Sequence, residues 1–290
     1  KPQPPTKHAP LSRPPTYFNE KLNPPTDTYA PKLEVAARQP GQNYFSYLLA
    51  AGKTYIAFYK EGLKRVRRTS KLSKSLRARA GPAGKQRPLH EVLTRAEWQV
   101  VKRSKKDLMR LGPFAVLVLL MGEYLPLVAL WITPLVPEAC RIPVQVKKEL
   151  EKGEKRRSER ERRLSMDRRK LVGKEGGSYV LEMMDSGKVI DLKEVELERC
   201  GHYELLRLSA KVNGHSFLWD WTFVLPPKNL LRWRLKKTLE YLKTDDELIA
   251  RDGGWAGLAK QEVQRACAER GVPVLGKSEG EMRRELPKWL

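Results

Sequence analysis

LGPFAVLVLLMGEYLPLVALWITPLV, residues 111–136, is the one long apolar run in a chain otherwise dense in charge. As a helix rising ~1.5 Å per residue it would reach about 39 Å, more than the roughly 30 Å hydrocarbon core of a bilayer. The run therefore predicts a single transmembrane helix. Glu123 sits near its middle, and Pro113, Pro126 and Pro134 punctuate it. A carboxylate at membrane depth costs about 2.5–3.5 kcal/mol on insertion scales, so it needs a proton or a partner. Pro126 cannot donate to the carbonyl of Gly122, and its ring crowds that position. The expected kink falls beside Glu123, where the Gly122 carbonyl and the carboxyl would make one polar spot. Two roles for Glu123 stay open: a titrating group in cation and proton transport, or a contact that holds helices together. One span cannot enclose a pore, so transport would require a homo-oligomer.

Outward from this run the chain is strongly basic. Its 57 Lys+Arg against 34 Asp+Glu give a net charge of +23. Such an excess points to a polyanion, either nucleic acid or an anionic membrane surface. Residues 60–110 hold 17 Lys+Arg and four acids, and residues 146–170 hold 12 Lys+Arg and six acids. Lys102, Arg103, Lys105, Lys106, Lys147, Lys148, Arg156, Arg157, Arg162 and Arg163 are the candidate phosphate contacts. In the second region opposite charges recur three or four residues apart, which supports a solvated helix, either a stalk or a phosphate-contacting arm. Six Lys+Arg in 93–112 and seven in 137–157 are too even to set a membrane orientation.

The rest divides by composition. Residues 1–42 carry a recurring PPT and form a Pro-rich leader, disordered or draped over a surface. Residues 43–110 read as basic amphipathic helices before the membrane, with Phe45, Leu48, Leu49, Tyr55, Ile56 and Tyr59 near helical spacing. Thr94 with Glu97 is a capping box that opens a helix over about 95–110. Pro113 fits the start of the next helix or a kink. Residues 137–175 form a charged helical connector, and 176–290 a helical domain. In that domain Thr244 with Glu247 and Ser278 with Glu281 are further capping boxes, and Gly271 is a helix stop. The fold class is all-α. Three separated cysteines and four scattered histidines make no metal-ligand pattern, and no cofactor is implied. GKT at 52–54 is not a phosphate loop, because Tyr47 stands where the motif needs glycine. No catalytic signature marks an enzyme.

Several segments together resemble the LETM family of mitochondrial membrane proteins. The matching pieces are Asp107, Leu108, Arg110 and Leu111, then Pro113 and Phe114, then Glu123, Leu125 and Pro126, then Pro134 and Pro137. LTRAEW stands just upstream, and DDELIARDGGWAGLAKQEVQRACAERGVPVLGKSEGEMRRELPKWL is similar to the end of the family's ribosome-binding domain. The resemblance implies a mitochondrial inner-membrane protein, single-pass, whose C-terminal domain, 14-3-3-like in fold, faces the matrix. It implies the mitochondrial ribosome (rRNA and proteins) and inner-membrane lipids as partners. It also implies a link to potassium–proton or calcium–proton exchange, with Glu123 and Asp107 as candidate cation or proton sites. The chain holds no D-x-[DN]-x-[DN]-G calcium loop and is closer to the short LETM-domain proteins.

Overall fold

The computed structural model describes residues 19–81, 87–121, 136–173, 197–222 and 224–289, and every regular element among them is helical. Helix α1 spans Tyr44–Arg79, and the Asn43 side chain caps it by accepting the Phe45 N–H at 3.2 Å. Its buried stripe, Phe58, Tyr59, Gly62, Val66, Thr69, Ser73 and Leu76, repeats every three or four residues and lies against helix α3, Arg95–Met121. A short helix α2, Leu89–Val92, joins them. Gly62 lets the chain at Ala139 and Cys140 come close, since a Cβ there would lie 2.7 Å from the Ala139 carbonyl oxygen.

Helix α3 opens as expected. Thr94 N–H donates to Glu97 Oε2 at 3.0 Å, and Glu97 N–H donates to Thr94 Oγ1 at 3.4 Å. It does not stop near residue 110, and Pro113 neither starts a helix nor ends one: α3 continues through it to Met121. The carbonyl that Pro113 leaves unmatched belongs to Met109, which is 72% exposed, so water can satisfy it.

The single crossing expected between 111 and 136 falls mostly on residues 122–135, which lie outside the described residues. Phe114 near the start of the run and Val136 at its last position share one hydrophobic cluster with Phe58, Tyr59, Cys140 and Ile142. Asp107 Oδ1 accepts the Glu138 N–H at 2.8 Å, fastening the returning chain to α3. Among the described residues no helix is long and apolar enough to cross a membrane. Gly122, Glu123 and Pro126 lie outside the described residues.

Beyond a 3-10 turn at Glu138–Cys140, helix α4 spans Pro143–Gly173. Helices α5 (His202–Lys211), α6 (Phe217–Thr222), α7 (Lys228–Asp252), α8 (Lys260–Glu269) and α9 (Glu279–Glu285) follow. The Ser278–Glu281 box opens α9, and Gly271 at φ 77° follows the end of α8, both as the sequence predicts. Thr244 opens nothing. It lies inside α7, and its hydroxyl donates to the Glu240 carbonyl at 2.7 Å.

Helix α4 is less solvated than its charge suggests. It packs along α5, and Leu164 meets Cys200, Leu205, Leu206, Leu231 and Leu235. Arg160 reaches Asp220 through Nε–Oδ1 at 3.0 Å and Nη2–Oδ2 at 2.5 Å, and it also holds the His215 carbonyl at 3.2 Å.

Part of the Pro-rich leader is built into the core: residues 22–24 and Thr28 are buried, whereas 36–41 are exposed. Leu22 is wholly buried among Ile249, Leu258, Val263, Cys267, Met282 and Leu286. Asn23 brackets the chain beside it, donating to the Gly257 carbonyl at 2.9 Å and accepting the Ala259 N–H at 2.7 Å. Gly253, at φ 147°, is required twice over, because a Cβ there would also fall 2.4 Å from Asn19 Nδ2.

His215 is pushed down to about 4, first by burial and then by the neighbouring Arg160 guanidinium. The unfolded chain therefore takes up this proton before the folded one does, and stability falls as pH drops from 6.5 towards 4. The expected loss is about 2–3 kcal/mol. Urea midpoints followed from pH 8 to 4 should show it, and His215→Gln should flatten the curve above pH 5.

Candidate nucleic-acid interface

Two sets of charged side chains stand out, one inside the protein and one on its surface. The inner set joins the leader, α3, α7 and α8. Arg95 Nε meets Asp245 Oδ1 at 2.9 Å, and its Nη1 reaches both Glu262 Oε2 at 3.1 Å and the Leu22 carbonyl at 2.9 Å. Arg103 Nη2 donates to the same Glu262 oxygen at 2.7 Å, and Tyr29 OH donates to the other at 2.5 Å. Arg270 Nη2 bridges Asp245 at 3.0 Å and Asp246 at 2.6 Å. Gln99 and Tyr241 complete the cluster: Gln99 Nε2 donates to Asp245 at 2.8 Å, and Tyr241 OH donates to Glu269 at 3.1 Å. Arg265 extends it to Glu138.

Arg95, Arg270, Asp245 and Glu262 are each no more than 2% exposed. Burial alone pushes the Glu262 carboxyl up, but Arg103, then Arg95 and Arg265, reverse this and hold it well below the usual carboxylate range. Asp245 is likewise held down, burial being overcome by Arg95 and Arg270. These groups pair with one another, with Arg103 Nε and Nη1 left without a hydrogen-bond partner, and the cluster is a structural clasp.

The outer set lies where α3 and α7 face solvent together. Trp98 and Tyr241 stack with ring centroids 5.3 Å apart. Lys102 Nζ lies 5.1 Å from the Trp98 ring centroid, and Lys106 Nζ lies 5.9 Å from that of Tyr241. Lys237 Nζ stands 5.3 Å from the ring centroid of Trp233, which is 60% exposed. Lys102 is pushed below the ordinary lysine range, first by partial burial and then by Lys105, Lys106 and Lys237. Four ammonium groups thus crowd one aromatic-backed surface, an arrangement suited to phosphate oxygens and exposed bases.

The structure divides the sequence-predicted phosphate contacts. Lys102, Lys105 and Lys106 are exposed and belong to this surface. Arg103 does not: it is 3% exposed and paired with Glu262. Arg157 is also buried, with Nη1 donating to the Ala268 carbonyl at 3.4 Å. Both point inward because each sits on its helix's packed face. Lys147 and Lys148 are exposed at the start of α4, and Arg156 is half-buried with Nε on the Lys152 carbonyl. Arg162 and Arg163 share Glu159, and Arg163 also donates to the Asp220 carbonyl at 3.2 Å. Asp107 is buried and caps the Glu138 turn, and burial pushes its carboxyl up. Among the described residues no group of His, Cys, Asp and Glu could hold a metal ion.

Sequence reasoning missed Lys237, Trp233 and the Trp98–Tyr241 stack. Their signal was present: an aromatic residue four positions before a lysine at Trp98/Lys102 and again at Trp233/Lys237.

Replacing Glu262 by Gln removes the charge that Arg95 and Arg103 share, leaving buried cations short of a partner. The expected cost is about 3–5 kcal/mol, read as a lowered urea midpoint at pH 7. The Glu262 carboxyl is depressed in the fold, so its contribution is full above the ordinary carboxylate range and is lost progressively as pH falls below that range towards the folded-state value. The gap between the wild type and Glu262→Gln should therefore narrow on acidification.

Residues 217–290 match the family model described as LETM1-like, RBD. The chain is 25% identical over 223 residues to a Drosophila melanogaster protein named mitochondrial proton/calcium exchanger protein, a match covering 69% of this chain and 21% of that protein. The chain thus spans about a fifth of the length of that curated relative. No solved structure matches the chain. The family match falls on the helices that close the inner clasp, and over those residues the chain is similar to the LETM1-like RBD family.

Proposed function

We propose that this protein docks the mitochondrial ribosome at the inner membrane, with its helical body in the matrix, supporting the insertion of newly made proteins. The observation that carries the reading is the four-lysine, aromatic-backed surface of α3 and α7, in a chain whose C-terminal quarter matches a LETM1-like RBD. Phosphate contacts by Lys102, Lys105, Lys106 and Lys237 release counterions, and Trp233 offers a face on which an unpaired base can stack. The test is cosedimentation with mitochondrial ribosomes across a salt series. Wild-type affinity should fall steeply with salt. The triple variant Lys102→Gln, Lys105→Gln, Lys106→Gln should bind more weakly and flatten the log–log slope by roughly 2–3. An unchanged slope would remove the surface from the interface.

A second reading, cation–proton exchange or its regulation by a homo-oligomer, is supported by the printed name of the Drosophila relative and by the upward-shifted Asp107 carboxyl. In reconstituted vesicles Glu123→Gln should then abolish proton-coupled cation flux, and unaltered flux would dismiss this reading.

A further inference from the structure

We propose that the cleft between the leader, the start of α4 and α8 binds a small organic monocarboxylate with an apolar body, its carboxylate held by Arg141. The first observation is the cavity itself. It measures about 870 Å³, within the roughly 300–1,000 Å³ of small-molecule sites. Ala30 and Pro31 wall it from the leader, Val146 and Leu150 from α4, and Val274 and Leu275 from the loop after α8. These side chains can shelter a hydrocarbon body but offer it no hydrogen bond.

The second observation is an arginine in the wall with an unused donor. Arg141 lines the cleft and is 7% exposed. Its Nε donates to the Val136 carbonyl at 3.2 Å and its Nη1 to the Glu149 carboxylate, whereas Nη2 has no acceptor. A buried donor without a partner costs free energy that a ligand can recover. Burial pushes the Arg141 guanidinium below its ordinary range even with Glu149 beside it, so this spot is short of negative charge. Arg103 also holds unpartnered nitrogens, but it does not line this cleft.

The third observation sets the ligand's charge. The lining holds four cations, Lys32, Arg141, Lys147 and Arg265, and three acids, Glu138, Glu149 and Glu269. Arg265 pairs with both Glu138 and Glu269. One positive charge is in excess, which suits a monoanion, and the three carboxylates repel a dianion such as phosphate. A planar carboxylate also matches the guanidinium fork. Glu149 already makes that contact from within the chain, and its side chain is 47% exposed. It acts as a built-in competitor: the ligand's carboxylate takes its place on Nη1 and reaches Nη2 as well, while Glu149 swings out into solvent.

The test is titration calorimetry on the full chain with decanoate, which should saturate at a single site. Acetate lacks the apolar body, inorganic phosphate is a dianion, and decyltrimethylammonium reverses the charge; each should bind roughly tenfold more weakly or worse. Arg141→Gln should weaken decanoate binding by roughly tenfold or more. Glu149→Gln removes the competitor and should tighten it severalfold. Val146→Asp, at a position exposed enough to leave the fold intact, should weaken it. Decanoate affinity unmoved by either Glu149→Gln or Val146→Asp, at unchanged helix content, overturns the site whatever Arg141→Gln does to folding. Equal affinity for decyltrimethylammonium overturns the carboxylate assignment. A short apolar peptide with a free C-terminal carboxylate that binds more tightly than decanoate overturns the small-molecule assignment.

Discussion

Arg95 lies where water does not reach, and its guanidinium is divided between Asp245, Glu262 and the carbonyl of Leu22. A charge so placed is tolerable only with every partner present, because the cost of stripping its hydration is several kcal/mol. Its three partners come from α7, α8 and the leader, and Arg95 itself opens α3. Apolar surfaces of similar area allow helices to slide past one another. A planar fork fixed between two carboxylates does not. The register of the whole helical body, and with it the meeting of α3 and α7 that assembles the lysine surface, follows from this one side chain.

The basic excess is sorted by residue type. Among the described residues the buried cations are all arginines: Arg95, Arg103, Arg141, Arg157, Arg160 and Arg270. Lysines stay outside. Guanidinium is the more weakly hydrated cation and can donate in several directions at once, so it can replace water with carboxylates and carbonyls. Ammonium keeps its hydration and remains free to trade it for phosphate. Among the described residues the six buried arginines are nearly matched by five buried acids, Asp107, Glu204, Asp245, Asp246 and Glu262, so their burial takes little from the net charge of +23.

What could be read from the sequence was what is local. The Thr94–Glu97 and Ser278–Glu281 caps act within one helical turn, and both formed. Thr244 carries the same spelling but lies amid a favourable helical stretch whose Leu235, Leu242, Leu248 and Ile249 are buried on both sides of it, and packing overrode the cap. The clasp was illegible because its partners are remote: 150 residues separate Arg95 from Asp245, and 159 separate Arg103 from Glu262. Arginines that look like surface charge in a basic run are claimed by acids from another part of the chain. Hydropathy counts length, and it carries no information on which residues near the two ends pack together, as Phe114 and Val136 do.

Leu22 seated among the last helices has a consequence for assembly. Tyr29 and Glu262 are 233 residues apart, so the contact that closes the core joins nearly the first described segment to nearly the last. During synthesis the leader emerges early and then waits, its socket not yet made. Closing so long a loop is slow, and until it closes the hydrophobic pocket around Ile249 and Leu258 stays open to misassociation. A fragment holding residues 217–290 alone would meet the same fate permanently, with Asp245 and Glu262 deprived of Arg95. The stretch most recognisable as a domain thus takes Arg95 and Arg103, which pair its buried acids, and Leu22, which fills its core, from outside itself.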